Sequence, residues 1–203
     1  EISRLRAWLS LIVEDDDNAK DIDPLPNLDF KFVCANSLIP LEQQSGIFTD
    51  PTLHEKLAEV RSKFFNARKP EMKDKWKKEY YKLTNDKQTS LYSDKRESQL
   101  KSFDPFKNAH HAEFFDADYM FGIEQFDIII GNPPYIHFEK MDKSLREDYK
   151  KLAYKTFEAR GDIYTLFYEQ GVKLLKNDGV LTYITSNKWM RAGYGESLRK
   201  FFA

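Results

Sequence analysis

An α/β fold with a parallel sheet and a helical insertion is what this sequence predicts, and three observations carry the prediction. An apolar run, Ile128-Ile129-Ile130, is opened by Phe126-Asp127 and stopped by Gly131-Asn132-Pro133-Pro134. That is the pattern of a buried parallel strand ending in a stiff turn, because proline cannot donate to a ladder and restricts the residue before it. Helix, strand and helix patterns then follow one another between Gly161 and Phe202, the alternation of a doubly wound sheet. Residues 41–125 separate the central run from an earlier strand-like segment at 28–34, too many for a simple crossover.

Composition narrows the class. The chain has 203 residues, 41% hydrophobic and 32% charged, enough apolar material for one core or one core with an appendage. A net charge of −1 gives no global attraction to nucleic acid, so any DNA contact must use local patches. The one cysteine, Cys34, excludes an internal disulfide and reads as a small buried hydrophobe. One cysteine and four histidines supply no zinc spacing, and no metal is expected. Neither a signal peptide nor an apolar run of membrane-spanning length is present, so a cytoplasmic protein is expected. The chain begins at Glu1 rather than Met and ends at Phe201-Phe202-Ala203 within a helical pattern, which suggests a fragment of a longer protein with upstream and downstream domains.

Taken in order, Ile2, Leu5, Leu9 and Ile12 share one helical face, predicted to pack on a sheet. Asp15-Asp16-Asp17, Pro24 and Pro26 end that helix in a loop. Leu28 to Cys34 alternates and then turns apolar, as a strand does, and Ala35-Asn36-Ser37-Leu38 lies at its carboxyl end. Leu53, Leu57, Val60 and Phe64 keep a helical period, as do Trp76, Tyr80 and Leu83, with Pro70 between them, which predicts a helical hairpin. From His54 to Lys101 there are 14 Lys and Arg against 8 Asp and Glu. Two solvated helices with an apolar seam explain this, and a phosphate-contacting arm is the sharper alternative, with steeply salt-dependent binding. His110-His111 reads as a surface loop, and the aromatic-rich stretch Phe114 to Gly122 as a loop over the sheet edge.

Beyond Tyr135, Met141, Leu145, Tyr149 and Leu152 stand near helical spacing. Asp162 is a candidate N-cap for a helix at 163–175 whose apolar face carries Ile163, Phe167, Gly171 and Leu174. Asn177-Asp178-Gly179 breaks that helix, a strand runs from Gly179 to Thr185, and a last helix starts near Gly195.

The chemistry sits on the turn after the central run. Asn132 offers a carbonyl acceptor beside the backbone carbonyls of Pro133 and Pro134, a cluster suited to an NH2 group with two hydrogens to donate, and Tyr135 offers a flat face for a planar ring. A strand that ends in a rigid Pro-Pro turn with no chemistry is the alternative. Asn132-Pro133-Pro134-Tyr135 resembles the catalytic motif of S-adenosylmethionine-dependent amino-methyltransferases, above all the N6-adenine DNA methyltransferases. Gly161 to Phe202, with its Leu174-Leu175-Lys176-x-x-Gly179 exit, is similar to that family's later blocks. The helix Arg4-Leu5-Arg6-x-Trp8-Leu9-Ser10-Leu11-Ile12 and the stretch Leu28-x-Phe30-Lys31-x-Val33-x-x-Asn36-Ser37-Leu38 are similar to the methyltransferase modules of Type IIG restriction–modification enzymes.

The resemblance implies a partial Rossmann-like methyltransferase domain over residues 1–40 and 111–203, a charged helical insertion at 41–110, and double-stranded DNA as partner. It implies catalytic roles for Asn132, Pro133, Pro134 and Tyr135. It also implies S-adenosylmethionine contacts at Asn36, where the family usually has Asp, and at Phe167, which a core role explains equally well. The family's glycine-rich motif is missing from these residues, so the fragment alone is expected to be inactive. Protein glutamine and RNA guanine-N2 methyltransferases share the motif and remain open, as does a non-catalytic DNA-binding fragment.

Overall fold

The computed structural model describes residues 2–14, 30–43, 51–85, 94–107 and 110–203. The predicted loop residues 15–17, 24 and 26, and the start of the predicted strand at 28–29, lie outside them. The chain divides into two compact units. The first comprises Glu1–Ala35, Leu41–Glu113 and Tyr119–Gly122, the second Asn36–Pro40, Phe114–Asp118 and Ile123–Ala203.

The first unit is helical. Helix α1 spans Ile2–Glu14, α2 Pro51–Asn66, α3 Pro70–Asn85 and α4 Asp94–Ser102. Proline opens both α2 and α3, where a missing N–H costs nothing. The predicted hairpin forms: Leu57, Val60 and Phe64 of α2 bury against Tyr80 of α3 and Phe30. Phe30 meets Phe64, Tyr80 and Phe106 edge-on at 5.7, 5.6 and 5.1 Å between ring centres. To reach this cluster its backbone takes a φ of 63°, in the left-handed region. That conformation is incompatible with a strand, so the predicted strand at 28–34 is replaced, in its described part, by a turn and an extended stretch. A bridge from Ala35 to Ala112 is its nearest approach to a ladder. Cys34 is exposed rather than buried. Ile2, Leu5 and Leu9 of α1 are likewise exposed.

Three of the hairpin's lysines lie over aromatic rings. Lys63 and Lys75 each lie 4.8 Å from the Trp76 ring centre, Lys77 lies 5.2 Å from that of Phe106, and Lys63 also pairs with Glu59.

The expected loop at 114–122 contains a short helix, α5, Ala117–Phe121. In the second unit, β1 spans Phe126–Gly131 and pairs in parallel with β2, Leu175–Tyr183. Ile128 stands opposite Val180, Ile129 opposite Leu181, Ile130 opposite Thr182 and Gly131 opposite Tyr183. Helix α6, Lys143–Lys151, is capped by Asp142, whose carboxylate accepts the Ser144 N–H at 2.8 Å. Helix α7, Tyr164–Leu174, runs directly into β2. A reversal at Asp178, with φ 65°, sets the register shift there. Helix α8 is Glu196–Phe202. The core joins Leu38, Phe138, Tyr149, Tyr154, Ile163 and Leu166. Lys176 donates to Asp127 at 2.8 Å and holds that carboxyl below its usual range.

The sheet is buried on one face only. Ile129, Leu181 and Tyr183 are half-buried, whereas Ile128 and Ile130 are 61% and 78% exposed and Val180 is exposed too. The expectation of a strand buried on both faces is therefore corrected. Side chains alternate across a strand, and among the described residues nothing covers the second face. On the covered face α7 comes close at Gly171, where an added Cβ would lie 2.8 Å from both Leu181 Cδ1 and the Tyr183 hydroxyl. Gly171→Ala is expected to lower the unfolding free energy by about 1–3 kcal/mol despite alanine's better helix propensity, read as a lower midpoint in urea.

Candidate functional site

The turn Asn132-Pro133-Pro134-Tyr135 leaves the carboxyl end of β1 and is held on both sides. On the upstream side, Ile184 N–H donates to the Gly131 carbonyl at 3.0 Å, extending the β1–β2 ladder by one bond. On the downstream side, Ile163 N–H donates to the Ile136 carbonyl at 2.9 Å and Phe138 N–H to the Gly161 carbonyl at 3.1 Å. Between those bonds His137 Nδ1 lies 3.1 Å from the Asp162 carboxylate. Asp162 is thus occupied by His137 and does not cap α7, contrary to the sequence expectation; its backbone carbonyl instead accepts from Thr165. The turn is fastened to the entrance of α7.

Within the turn Pro133 is buried, and Asn132, Pro134 and Tyr135 are exposed. The Tyr135 hydroxyl donates to the Ile184 carbonyl at 3.0 Å. Its ring, 52% exposed, lies 6.0 Å from that of Tyr164, tilted by 55°. One edge of the Tyr135 ring is therefore fixed while much of its surface stays open. Tyr164 is fully buried and shares a 2.9 Å hydrogen bond with the Tyr194 hydroxyl. Burial, reinforced by that bond, pushes the Tyr164 phenol well above the ordinary tyrosine range, so it stays protonated. Tyr135→Phe is expected to cost about 1 kcal/mol of stability, the usual net value of one hydrogen bond, measurable by urea denaturation.

A cleft of about 390 Å³ opens beside the turn. Asn132, Pro133 and Pro134 line it together with Ser37, Phe167 and Gln170. The expected residues Asn132, Pro133, Pro134 and Phe167 therefore meet in one place, and Tyr135 adjoins it in sequence. Asn36 is not in the lining. Its Oδ1 accepts the Leu38 N–H at 3.2 Å and its Nδ2 donates to the Tyr149 hydroxyl at 3.2 Å, which makes it a turn residue with a satisfied amide. Its neighbour Ser37 lines the cleft instead. Sequence reasoning passed over Ser37, Gln170 and the Tyr164–Tyr194 pair. The available signal was helical spacing, since Tyr164, Phe167, Gln170 and Leu174 recur at three- and four-residue steps along α7. Among the described residues no group of three or more His, Cys, Asp or Glu is placed to hold a metal ion, and no helix is long and apolar enough to cross a membrane.

Comparison with known proteins adds an independent line. The family model described as Eco57I restriction-modification methylase matches residues 1–203. Over 77 residues the chain is 38% identical to the Type II methyltransferase M.BstVI of Geobacillus stearothermophilus, covering 38% of this chain and 14% of that protein. Over 81 residues it is 38% identical to the Type II restriction enzyme and methyltransferase RM.Eco57I of Escherichia coli, covering 39% and 8%. Over 79 residues it is 38% identical to the Type II methyltransferase M.PaeR7I of Pseudomonas aeruginosa, covering 39% and 14%. The matched part is thus a small fraction of each relative's length.

Proposed function

The chain belongs to the Eco57I restriction-modification methylase family, and on that premise we propose that it is catalytic machinery of a site-specific DNA methyltransferase that methylates adenine N6. The proposed reaction takes the methyl group of S-adenosylmethionine, in a larger protein whose further domains supply sequence recognition and, in fused enzymes, a nuclease. In this reading β1, α7 and β2 are a segment of a Rossmann-like sheet, residues 41–110 are a charged insertion, and residues 1–40 and 111–203 contribute to the catalytic domain. Its place of action is the cytoplasm, with the DNA.

One observation carries the reading: the Asn132 amide stands exposed at the carboxyl end of a parallel strand, among proline carbonyls, on a turn fastened at both ends. Ligands of open α/β sheets bind at that edge. The target adenine leaves the duplex and enters the site, as enzymes that modify a base require. Tyr135 stacks on it, a contact worth roughly 1–3 kcal/mol. Asn132 Oδ1 and the Pro133 carbonyl accept the two N6 hydrogens, drawing the nitrogen lone pair out of conjugation and aiming it for attack. No general base acts before transfer because the attacking amine is neutral. Catalysis rests on alignment and on acceptors placed where positive charge develops.

The cleft's chemistry fits the adenosyl part of the cofactor. Phe167 offers a ring face and Ser37 and Gln170 offer hydrogen bonds, while no charged side chain lines the cleft to take up the amino-acid end. When bound there, S-adenosylmethionine supplies an electrophilic methyl group. Phe167 is the residue proposed against its adenine, and Asn36 is proposed to act through the turn that shapes the cleft wall beside Ser37. The deciding experiment is methyl transfer from labelled S-adenosylmethionine to DNA by the full-length protein, followed by nucleoside digestion and chromatography. Label in N6-methyladenine supports the reading. Label in RNA or protein alone moves the activity to the other amino-methyltransferases, and the absence of label overturns it.

A further inference from the structure

Beyond Ile184 the chain forms a compact loop at the same end of the sheet as the Asn132 turn. Two single-turn helices build it, Lys188–Met190 and Gly193–Gly195. The loop is held from within. The Arg199 guanidinium of α8 donates to the Trp189 carbonyl at 2.5 Å and to the Ala192 carbonyl at 3.0 Å, and Ala192 N–H donates to the Lys188 carbonyl at 2.9 Å. The Lys188 N–H is taken by Ser186 Oγ at 3.2 Å.

This framework borders an open concavity of about 540 Å³ lined by Asn187, Lys188, Met190, Arg191, Ala192 and Tyr194. Its lining residues thus include two cations, an amide and a phenol, and no carboxylate. Lys188 and Arg191 are exposed, and no described carboxylate pairs with either. The neighbouring cations of α8 differ: Lys200 is paired with Glu196 at 2.7 Å, and Arg199 is spent on the loop's own carbonyls. In the α2–α3 hairpin, Lys63, Lys75 and Lys77 lie over aromatic rings. Lys188 and Arg191 thus bring two exposed cations without a described carboxylate partner to one concave surface.

Its position connects it to the proposed base site. Tyr194 shares a hydrogen bond with Tyr164, the Tyr164 ring neighbours that of Tyr135, and Tyr135 in turn bonds to Ile184 at the root of the loop. A nucleotide whose base lies on Tyr135 carries its backbone on into the neighbouring region. Contacts to phosphate fix the register and orientation of a strand without reading its sequence, and lysine and arginine are their usual source.

We propose that the 187–194 concavity is a phosphodiester subsite, in which Lys188 and Arg191 take the backbone phosphate of the DNA strand whose base occupies the Asn132–Tyr135 turn. Asn187 and the Tyr194 hydroxyl serve as flanking hydrogen-bond groups. The proposal rests on the DNA-methylation reading above, and it adds the anchor that holds the strand while the base is out of the stack.

The test uses the full-length protein and a mixed-sequence duplex. Binding of wild type, Lys188→Gln/Arg191→Gln and Lys200→Gln is measured as a function of salt, with methyl transfer assayed alongside and thermal unfolding used to check each fold. Loss of the two cations that hold this phosphate is expected to flatten the log–log salt dependence by about 0.9 and to weaken binding about tenfold or more. Lys200→Gln, which removes an already paired cation outside the concavity, is expected to keep the wild-type slope. An unchanged slope in the double variant, while wild type still methylates DNA, overturns the subsite and leaves the catalytic reading standing. A flattened slope in a protein that labels no DNA retains the phosphate subsite and removes the catalytic reading. Wild type without affinity for the duplex overturns the subsite.

Discussion

Replacing Asn132 with Ala is expected to abolish methyl transfer by the full-length protein while leaving its fold intact. The side chain is exposed, so truncation opens no cavity, and the turn around it is held by backbone bonds from Ile184, Ile163 and Phe138 that do not involve the amide. What the proposed mechanism loses is an acceptor for the amine as it gains positive charge. Removal of one such preorganised group lowers turnover about 10²–10³-fold in well-studied cases. In the proposed mechanism the same group also orients the nucleophile, and a loss at or beyond the upper end is expected. The measurement is single-turnover transfer of labelled methyl at saturating DNA, beside a melting curve. Undiminished turnover with an unchanged melting temperature would show that the Pro-Pro turn is structural only.

The second large effect is expected from a position with no chemistry. Gly195 is buried between the loop and α8, and a Cβ built there would lie 1.9 Å from the Trp189 carbonyl oxygen and 2.6 Å from its carbon. The obstacle is backbone rather than the tip of a flexible side chain, so rotamer changes cannot relieve it. Either the Lys188–Met190 turn or the start of α8 must move, and both are joined through Arg199. Gly195→Ala is expected to cost about 3 kcal/mol, at the top of the usual range for overpacking. It should lower the midpoint in urea and raise protease sensitivity across 186–195. Gly193 is the internal comparison, because an added Cβ there meets nothing within 4 Å. Equal stability of the two alanine variants would contradict the packing described here.

What was legible in the sequence was what local rules decide. The α2–α3 hairpin follows from apolar spacing and two prolines. The turn after β1 follows from the inability of Pro133 and Pro134 to continue a ladder, and α7 from its apolar face. What was not legible depended on distant partners. Alternation at 28–34 looks the same in a strand and in an extended stretch, and only the pull of Phe30 into a cluster with Phe64, Tyr80 and Phe106 decides between them. Asn36 has the sequence of a loop residue free to bind a ligand, yet its amide is met by Tyr149 from more than a hundred residues away. Asp162 sits where an N-cap belongs, and His137 claims it. For Asn36 and Asp162 a short polar side chain had two possible partners, and sequence spacing names only the near one.

The half-covered sheet bears on how this chain behaves as a colloid. A composition of 32% charged residues keeps the surface hydrated, while a net charge of −1 gives copies of the chain almost no mutual repulsion. Self-association is governed instead by the stickiest patch. Ile128, Ile130, Val180 and Ile184 form an exposed apolar stripe, and β1, with one described partner strand, leaves its outer edge open. An open edge beside a stripe of β-branched side chains is a template onto which further strands add. A polypeptide of just these residues would be limited in concentration by that stripe long before its net charge or its folding stability became the constraint.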